Sequence, residues 1–323
     1  MKNGIINVYK PQNMTSHDVV AIMRGVLKTK RIGHTGTLDP MATGVLPVCI
    51  GKATRIMDYL EMDIKEYVCS LKLGMVTDTE DIWGEVLEEK SPEGVTEDMV
   101  REACDSFHGI TEQLPPMYSA VQINGRRLYD YARAGEKVER KTRKIYIESL
   151  DLLAYDHHEK TAKLKIRCSK GTYIRTICSD IGQKLGCGAV LSSLERTASG
   201  VFVLENSVHI ETIRDMNREE AEKLILDTDY PLINFGKTTL DLEGTYKFVN
   251  GMRISKTRWE KEEGPVYENR DFPLGIREEY RRAYRVYGTM EDGSHAFLGI
   301  GVEERDAGCL KGSKVFFDRQ SDL

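Results

Sequence analysis

One aspartate of this chain stands in a segment whose composition leaves the backbone few conformations. Asp39 lies within residues 33–47, GHTGTLDPMATGVLP, which are rich in glycine and proline. Pro40 biases the preceding residue toward an extended conformation, and the glycines permit close approach of a ligand or another backbone segment. A carboxylate held in this way can act as a nucleophile or a general base. The structural alternative is a simple turn, because Asp-Pro pairs often begin turns.

Other familiar catalytic layouts are missing from the sequence. It contains no G-x-x-x-x-G-K-[ST] phosphate loop, no G-x-G-x-x-G turn after a strand, no H-E-x-x-H, and no H-x-E with P-C-x-x-C. The seven cysteines are scattered without a C-x-x-C pair, which indicates reduced thiols. Kinases, dehydrogenases, zinc proteases and zinc deaminases therefore lose support, and we expect neither a metal ion nor a cofactor.

Positive charge is concentrated in two zones, although the net charge is −5. Residues 1–60 and residues 121–147 each contain eight Lys or Arg against three Asp or Glu. Residues 61–120 carry fifteen acidic and four basic residues. Clustered cations neutralise phosphates, so a polyanion can bind despite the negative total, although a charge run is also typical of a solvated surface.

The elements that position Asp39 follow from hydrophobic periodicity. Residues 5–9 predict a strand, and Thr15 or Ser16 caps the helix after it. Residues 33–47 fit neither the helical nor the strand period, so we expect a long ordered loop there. The alternation over residues 67–73 predicts the next strand.

Further elements follow toward the C-terminus. A helix is predicted over residues 97–108, and residues 164–168 predict a strand that leads through SKGTYIR into another helix. Asn217 and Glu220 form the capping box of a helix near the domain boundary. Beyond residue 231, short strands with glycine turns predict a small β-barrel.

The segment around Asp39 resembles the catalytic motif of the TruB family of pseudouridine synthases. That motif is G-H-x-G-x-L-D-P-x-A-x-G-x-L-P, and every specified position is present. Further matches follow in chain order: NVYKP, KEYVCSLKLG, TDTEDIWG, PPMYSA, GRRLYDYAR and CSKGTYIRTICSDIGQKLGCGA. The resemblance covers residues 4–204 closely and is weaker beyond them.

The resemblance implies an α+β fold with a mixed, largely antiparallel sheet and flanking helices. It places the catalytic domain at residues 1–230, with an RNA-clasping insertion at about 118–147, and a PUA-like RNA-binding β-barrel at residues 231–323. The charged segment, residues 256–282, is longer than the family pattern predicts. The arginines of REEYRRAYR, residues 277–285, are candidates for phosphate contacts.

The resemblance to the TruB family implies a role for individual residues of this chain. Asp39 resembles the nucleophile, Arg175 its arginine partner and Tyr67 the tyrosine that stacks on the target base, while Tyr173 and Leu194 resemble residues lining the uracil pocket. His34 matches a histidine that fills the space left in the RNA loop, and Lys10 belongs to the substrate-binding set. We expect Arg175 to orient Asp39 through two parallel hydrogen bonds.

The implied reaction is conversion of the T-loop uridine of tRNA, at position 55, into pseudouridine. The sequence leaves open whether Asp39 attacks C1′ or abstracts a ribose proton. We expect a cytoplasmic protein that does not bind a membrane, because no long apolar run or signal peptide is present. The resemblance also implies a monomer that binds the T-arm of tRNA without a guide RNA. The alternatives are a non-catalytic RNA-binding protein on this scaffold and a guide-dependent synthase acting on ribosomal RNA.

Overall fold

The computed structural model describes residues 2–60 and 62–317. Up to residue 232 the strands are β1 (Gly4–Lys10), β2 (Ile32–His34), β3 (Thr43–Ile50), β4 (Lys65–Leu73), β5 (Met75–Thr77), β6 (Val86–Glu89), β7 (Gly109–Gln113), β8 (Gln122–Ile123), β9 (Arg126–Arg127), β10 (Arg143–Asp156), β11 (Thr161–Cys168), β12 (Ala189–Ser199), β13 (Phe202–Val203) and β14 (Val208–His209). The helices are α1 (Ser16–Leu27), α2 (Glu97–Asp105), α3 (Leu128–Arg133), α4 (Ile174–Lys184), α5 (Ile210–Asp215) and α6 (Arg218–Lys223).

Ten of these strands form one central sheet. Its order is β14-β1-β3-β12-β4-β11-β10-β7, with β13 beside β12 and β2 beside β3. The pairs β1–β14 and β3–β12 are parallel and the other pairs are antiparallel. The mixed, largely antiparallel sheet with flanking helices confirms the predicted fold class.

Alternation and capping explain how the elements next to the site form. The side chains of β4 point alternately inward and outward, so Tyr67 and Cys69 share the buried face. Thr15 caps α1 as predicted, because its hydroxyl accepts from the backbone of Asp18 while the Asp18 carboxylate accepts from Thr15. Such a cap is worth about 1 kcal/mol and fixes where α1 begins.

The expected long loop over residues 33–47 is strand at both of its ends, which corrects the sequence prediction. Only residues 35–42, the Asp39 loop, lie between β2 and β3. All but one residue of β3 are buried, because β3 lies between β1 and β12 in the middle of the sheet. A strand covered on both faces shows no alternation, so the two-residue period could not reveal it.

Two further boundaries differ from the prediction. The helix expected over residues 97–108 ends at Asp105, and Gly109 opens strand β7 with a φ of +91°. Residues 109–113 pair along β10, an interaction between distant segments that local periodicity does not reveal. Residues 143–147, which we assigned to the insertion, belong to β10 in the central sheet.

A second sheet follows in the C-terminal part of the chain. It contains β15 (Gly236–Leu240), β16 (Ile254–Ser255), β17 (Ala283–Thr289), β18 (His295–Glu304) and β19 (Cys309–Val315), together with helix α7 (Leu242–Val249). The strand order is β15-β17-β18-β19-β16, and the sheet curls into a half-barrel of the PUA-like type. The last part of the predicted barrel, residues 318–323, lies outside the described residues.

The two sheets share one apolar layer. Val45 and Phe202 of the first sheet belong to the same buried cluster as Ile300 and Phe316. The Tyr280 hydroxyl adds a polar link, donating a hydrogen bond of 2.7 Å to the carbonyl of residue 58. The half-barrel is therefore packed firmly against the central sheet.

Candidate functional site

A cleft of about 590 Å³ opens on the central sheet above β4. The Asp39 loop, the start of β4, residues 118–129 and residues 170–175 form its walls. Five of the predicted site residues line it: Asp39, Tyr67, Tyr173, Arg175 and Leu194. The structure thus brings together residues that are far apart in the chain.

The Asp39 loop is held on the N-terminal end of α1. The Ser16 hydroxyl accepts from the Leu38 backbone N–H at 2.9 Å and donates to the Leu38 carbonyl at 3.2 Å. Leu38 is buried in the main hydrophobic core. The Asp39 carbonyl accepts from the Ala42 N–H at 3.1 Å, and the Asp39 side chain is 47% exposed toward the cleft. The carboxylate is therefore accessible while its backbone is fixed.

Arg175 forms an ion pair with Asp39 from a buried position at the start of α4. Its Nε lies 3.0 Å from Oδ2 of Asp39, and its side chain is only 6% exposed. Nη1 donates to the Thr79 carbonyl at 3.1 Å and lies 3.6 Å from Oδ2 of Asp81, while Nη2 donates to the Tyr118 carbonyl at 3.0 Å. The two parallel hydrogen bonds that we expected are not formed, because the two terminal nitrogens of Arg175 bind other oxygens.

The loop between β5 and β6 supplies two of these other oxygens, the Thr79 carbonyl and the Asp81 carboxylate. Asp81 gives Arg175 a second carboxylate and accepts from the Thr79 hydroxyl at 2.7 Å and the Trp83 N–H at 3.2 Å. Gly84 allows this tight turn, since a Cβ there would lie 2.2 Å from the Thr79 hydroxyl oxygen. We did not assign Asp81 a role, although the signal was present in the motif TDTEDIWG.

Tyr67 forms part of the cleft floor. It is 7% exposed and lies opposite Ile166 of β11 and Arg196 of β12 in the sheet register. Burial raises the pKa of its phenol, so the hydroxyl stays protonated at neutral pH. Leu194 is half-buried against the core beside it. This floor can accept a planar ring.

Tyr173 forms a wall of the cleft at the N-cap of α4. The Gln113 side chain holds its backbone with two hydrogen bonds, donating to the carbonyl at 2.9 Å and accepting from the N–H at 2.8 Å. The Arg143 guanidinium lies over the ring, 4.5 Å from its centroid. A cation–π contact of this kind stabilises by about 0.5–2 kcal/mol. The ring therefore has a fixed orientation.

Lys10 lies beneath the Asp39 loop and outside the cleft lining. It is fully buried, and its ammonium donates to the carbonyls of Pro11 (2.8 Å), Met14 (2.6 Å) and Pro40 (3.2 Å). Burial lowers the pKa of Lys10 to about 8, while the Asp39 carboxylate opposes that shift. This placement does not fit the predicted substrate contact, because all three donors bind backbone oxygens. Lys10 instead ties the loop to the strand below it.

His34 lies at the end of β2, half-buried and outside the cleft lining. Burial lowers its pKa to about 4, with a smaller effect of nearby His17, so the ring is neutral at physiological pH. The two rings meet edge to face with centroids 5.5 Å apart. His17 lines the cleft from the first turn of α1, and no pattern in the sequence indicated it.

A buried arginine holds both ends of the Asp39 loop. Arg196 of β12 is fully buried, and it donates from Nε to the Val45 carbonyl at 2.7 Å and from Nη2 to the Gly36 carbonyl at 3.1 Å. Gly44, with a φ of +100°, passes so close that a Cβ there would lie 2.3 Å from the Arg196 carbonyl oxygen. The sequence did not indicate Arg196, because a single arginine in a strand is usually at the surface.

The arginines of residues 277–285 are engaged within the C-terminal part of the chain. Arg281 pairs with Asp271 at 2.5 Å and donates to the Tyr267 carbonyl at 3.1 Å. Arg285 pairs with Glu263 at 3.0 Å. The expected phosphate contacts therefore lose support, since carboxylates of the charged segment already neutralise these cations.

The described residues show no arrangement typical of a metal centre, because no group of three or more His, Cys, Asp or Glu side chains converges there. All seven cysteines are buried and free of disulfide bonds. Burial raises the pKa of Cys49, Cys104 and Cys168 to about 12, so these groups stay protonated thiols. None of the helices in residues 2–60 and 62–317 has the length and apolar character of a membrane span.

Comparison with known proteins agrees with this geometry. Residues 24–174 match the TruB family pseudouridylate synthase N-terminal domain, and residues 175–232 match the tRNA pseudouridylate synthase B C-terminal domain. A protein of Clostridium perfringens named tRNA pseudouridine synthase B is 43% identical, over 98% of this chain and 99% of its own length. The chain belongs to the TruB family.

Other members and structures extend this result. The Clostridium tetani protein of the same name is 46% identical, over 79% of this chain and 87% of its own. A crystal structure of a Cbf5-Nop10-Gar1 complex contains a chain that superposes with a TM-score of 0.71 at 25% identity, covering 98% of this chain and 86% of that one. The fold of that chain thus matches nearly the whole of this one, including the half-barrel.

Proposed function

We propose that this protein is a tRNA pseudouridine synthase that isomerises the T-loop uridine at position 55. One observation carries the proposal: the Asp39 carboxylate, exposed to the cleft, forms a 3.0 Å ion pair with the buried Arg175 beside the aromatic floor of Tyr67. The relatives that cover nearly the full chain are named for this activity.

The reaction needs a carboxylate, and it adds no chemical group to the uridine. The bond between uracil N1 and ribose C1′ breaks, the ring turns, and a bond forms between C5 and C1′, without net redox change. Asp39 either attacks C1′ or abstracts a ribose proton, and in both roles it must be ionised. Arg175 pairs with the carboxylate and fixes its direction, since Arg175 is itself held by Asp81 and two carbonyls.

The target uridine leaves its stack and enters the cleft. Extrusion costs a few kcal/mol, and stacking on an aromatic ring returns about 1–3 kcal/mol per base. Tyr67 supplies that stacking surface, while Tyr173 and Leu194 line the pocket around the ring. The neutral His34 ring, with His17 beside it, fills the space that the extruded base leaves in the RNA loop.

RNA is held by an arm, residues 118–142, that rises at the edge of the cleft. Arg127 and Tyr129 of the arm line the cleft, and the Arg127 guanidinium donates to the Tyr129 hydroxyl at 2.8 Å. The Arg126 guanidinium lies 4.4 Å from the centroid of Tyr131 and pairs with Glu136 at 3.0 Å. Such cation and aromatic pairs suit both phosphates and unstacked bases.

The chain divides into a catalytic domain, residues 1–230, and a PUA-like RNA-binding domain, residues 231–323. We infer that the enzyme acts in the cytoplasm as a monomer on the T-arm of free tRNA and needs no guide RNA. The shape of a folded T-arm provides recognition, because RNA loops are read by shape and stacking more than by base-specific contacts.

The test is conversion of a T-arm transcript by purified protein, with pseudouridine measured after nuclease digestion. Wild-type protein should convert the transcript with no guide RNA or second protein added. Asp39→Asn should lose at least about 10³-fold in turnover while its RNA dissociation constant changes less than about twofold, because no cation is removed. Tight binding without product from the wild type would favour the non-catalytic RNA-binding protein, and activity only with added guide would favour the guide-dependent synthase.

A further inference from the structure

A buried lysine opens on the cleft floor and has no part in the reaction as described above. Lys65 begins β4 two residues before Tyr67, so the two side chains lie on the same face of the strand. It is 7% exposed and lines the cleft. Its ammonium comes so close to the Asp39 loop that a Cβ on Gly36 would lie 2.6 Å from Nζ.

Positive charge is in excess around Lys65. Nη1 of the buried Arg196 would lie 3.6 Å from the same Cβ and has no hydrogen-bond partner in the described part of the chain. Lys170 and Asp63 act on Lys65 electrostatically, but the Lys65 ammonium forms neither an ion pair nor a hydrogen bond with any residue in 2–60 and 62–317. Burial lowers the pKa of Lys65 to about 7 and raises that of Asp63 to about 7. A buried cation without a partner is costly, which points to a ligand.

We propose that Lys65 donates a hydrogen bond to a carbonyl oxygen of the uracil ring and stabilises the negative charge that the ring carries while it is detached from the ribose. The proposal rests on the proposed function. It adds a ligand contact at the floor of the site, next to the stacking face of Tyr67. A cation there faces the edge of a stacked ring, where the carbonyl oxygens lie.

Both chemical routes produce this anion. When the C1′–N1 bond breaks, its electron pair stays on the ring, which leaves as a uracil anion with charge spread over N1 and the carbonyl oxygens. In one route an Asp39 oxygen bonds to C1′, and in the other Asp39 takes the C2′ proton while a C1′–C2′ double bond forms. C5 then bonds to C1′, Asp39 is released or returns its proton, and overall the C5 proton moves to N1.

The other buried cations near Asp39 cannot take this role. The nitrogens of Arg175 face Asp39, Asp81 and two carbonyls. Lys10 uses its three donors on backbone carbonyls. Arg196 lies below the loop and does not line the cleft. Lys65 therefore combines three features: burial, an uncommitted ammonium and a place on the floor.

Lys65→Met tests the contact, since methionine keeps the length of the side chain and removes the charge. Loss of one donor to a developing anion costs about 10²–10³-fold in rate, so single-turnover conversion of a T-arm uridine should fall about 10²-fold. RNA affinity should change less than twofold. Lys72→Met is the matched control, because Lys72 lies on the outward face of the same strand and binds Glu159. It should keep the wild-type rate.

A substrate with a better leaving group separates charge stabilisation from a structural role. Fluorine at C5 withdraws electrons and stabilises the ring anion, so 5-fluorouridine at the target position needs Lys65 less. The loss caused by Lys65→Met, followed as disappearance of the parent nucleoside after digestion, should be at least about tenfold smaller on this substrate. Lys65→Arg, which keeps the charge, should retain more than a tenth of the wild-type rate on uridine.

Three results would overturn the proposal: near-normal turnover of Lys65→Met, an equal loss on both substrates, or a loss of RNA affinity that matches the loss of rate. Should the methionine variant fail to fold, as judged by its thermal transition, Lys65→Leu, which also removes the charge, takes its place in both comparisons with the same criteria. These outcomes presuppose an active wild type. A wild type that makes no pseudouridine rejects the proposed function instead, so the two failures are distinguishable.

Discussion

The Asp39 loop and the charged segment, residues 256–282, use cations in opposite ways. Beneath the loop, Lys10 and Arg196 are fully buried and bind backbone carbonyls. At the charged segment, arginines bind carboxylates near the surface, as Arg285 of β17 binds Glu263 of the segment. Surface pairs contribute about 0–1 kcal/mol, whereas removing a buried hydrogen-bonded charge costs several kcal/mol. Similar residue types therefore fix a catalytic geometry in one region and neutralise a surface in the other.

The largest effect is expected from replacing Arg175, the arginine that joins the Asp39 loop to the rest of the site. Arg175→Lys should lower turnover by at least about 10²-fold, because one ammonium cannot reach Asp39, Asp81 and two carbonyls together. RNA affinity should stay within twofold. Arg167→Lys is the control, since Arg167 is 42% exposed and pairs with Glu66 and Glu148. Normal turnover of Arg175→Lys in the same transcript assay would remove Arg175 from the site.

A smaller effect is expected on stability. Lys10→Met leaves three buried carbonyls without their donor, so the free energy of unfolding should fall by about 2–4 kcal/mol. Turnover should fall as well, because the loop loses its anchor at Pro40. Denaturant unfolding monitored by circular dichroism measures the change, with the exposed Lys163→Met as control. If both variants unfold at the same denaturant concentration, Lys10 does not hold the loop.

The smallest effect is expected from breaking the ion pair between β17 and the charged segment. Arg285→Ala removes a pair with Glu263, whose side chain is 59% exposed, and the packing of the Arg285 stem, whose side chain is 14% exposed, so the unfolding free energy should fall by about 1–2 kcal/mol. RNA affinity should change less than about threefold, because Glu263 already neutralises this arginine. Filter binding at two salt concentrations provides the check. A loss of tenfold or more that grows at low salt would restore the phosphate-contact role that we first expected for residues 277–285.

Much of the fold and of the site could be predicted from the sequence, and each prediction that was wrong has a physical reason. The dense motif around Asp39 led to Arg175, Tyr67, Tyr173 and Leu194, which the fold brings into one cleft. Lys10 belongs to a matching motif too, but a motif does not tell a buried anchor from a substrate contact.

Residues that act through burial or through a partner were harder to predict from the sequence. Asp81 lies in a matching motif, but its role as a second carboxylate for Arg175 is apparent only from the distance between the two side chains. Arg196 stands in an ordinary strand, and its burial depends on β3 passing beside β12. Strand β3 itself was missed, because a strand covered on both faces loses the alternation by which strands are detected.

The apolar layer shared by the two sheets packs them directly against each other. Val45 lies three residues beyond the Asp39 loop and packs in the same cluster as Ile300 and Phe316 of the half-barrel. The distance from the Asp39 carboxylate to the C-terminal sheet is thus set by the packing of the protein before RNA binds. On the proposed function, an RNA that contacts both the cleft and the half-barrel has to match that distance by its own shape, so the length and bend of the substrate contribute to selection.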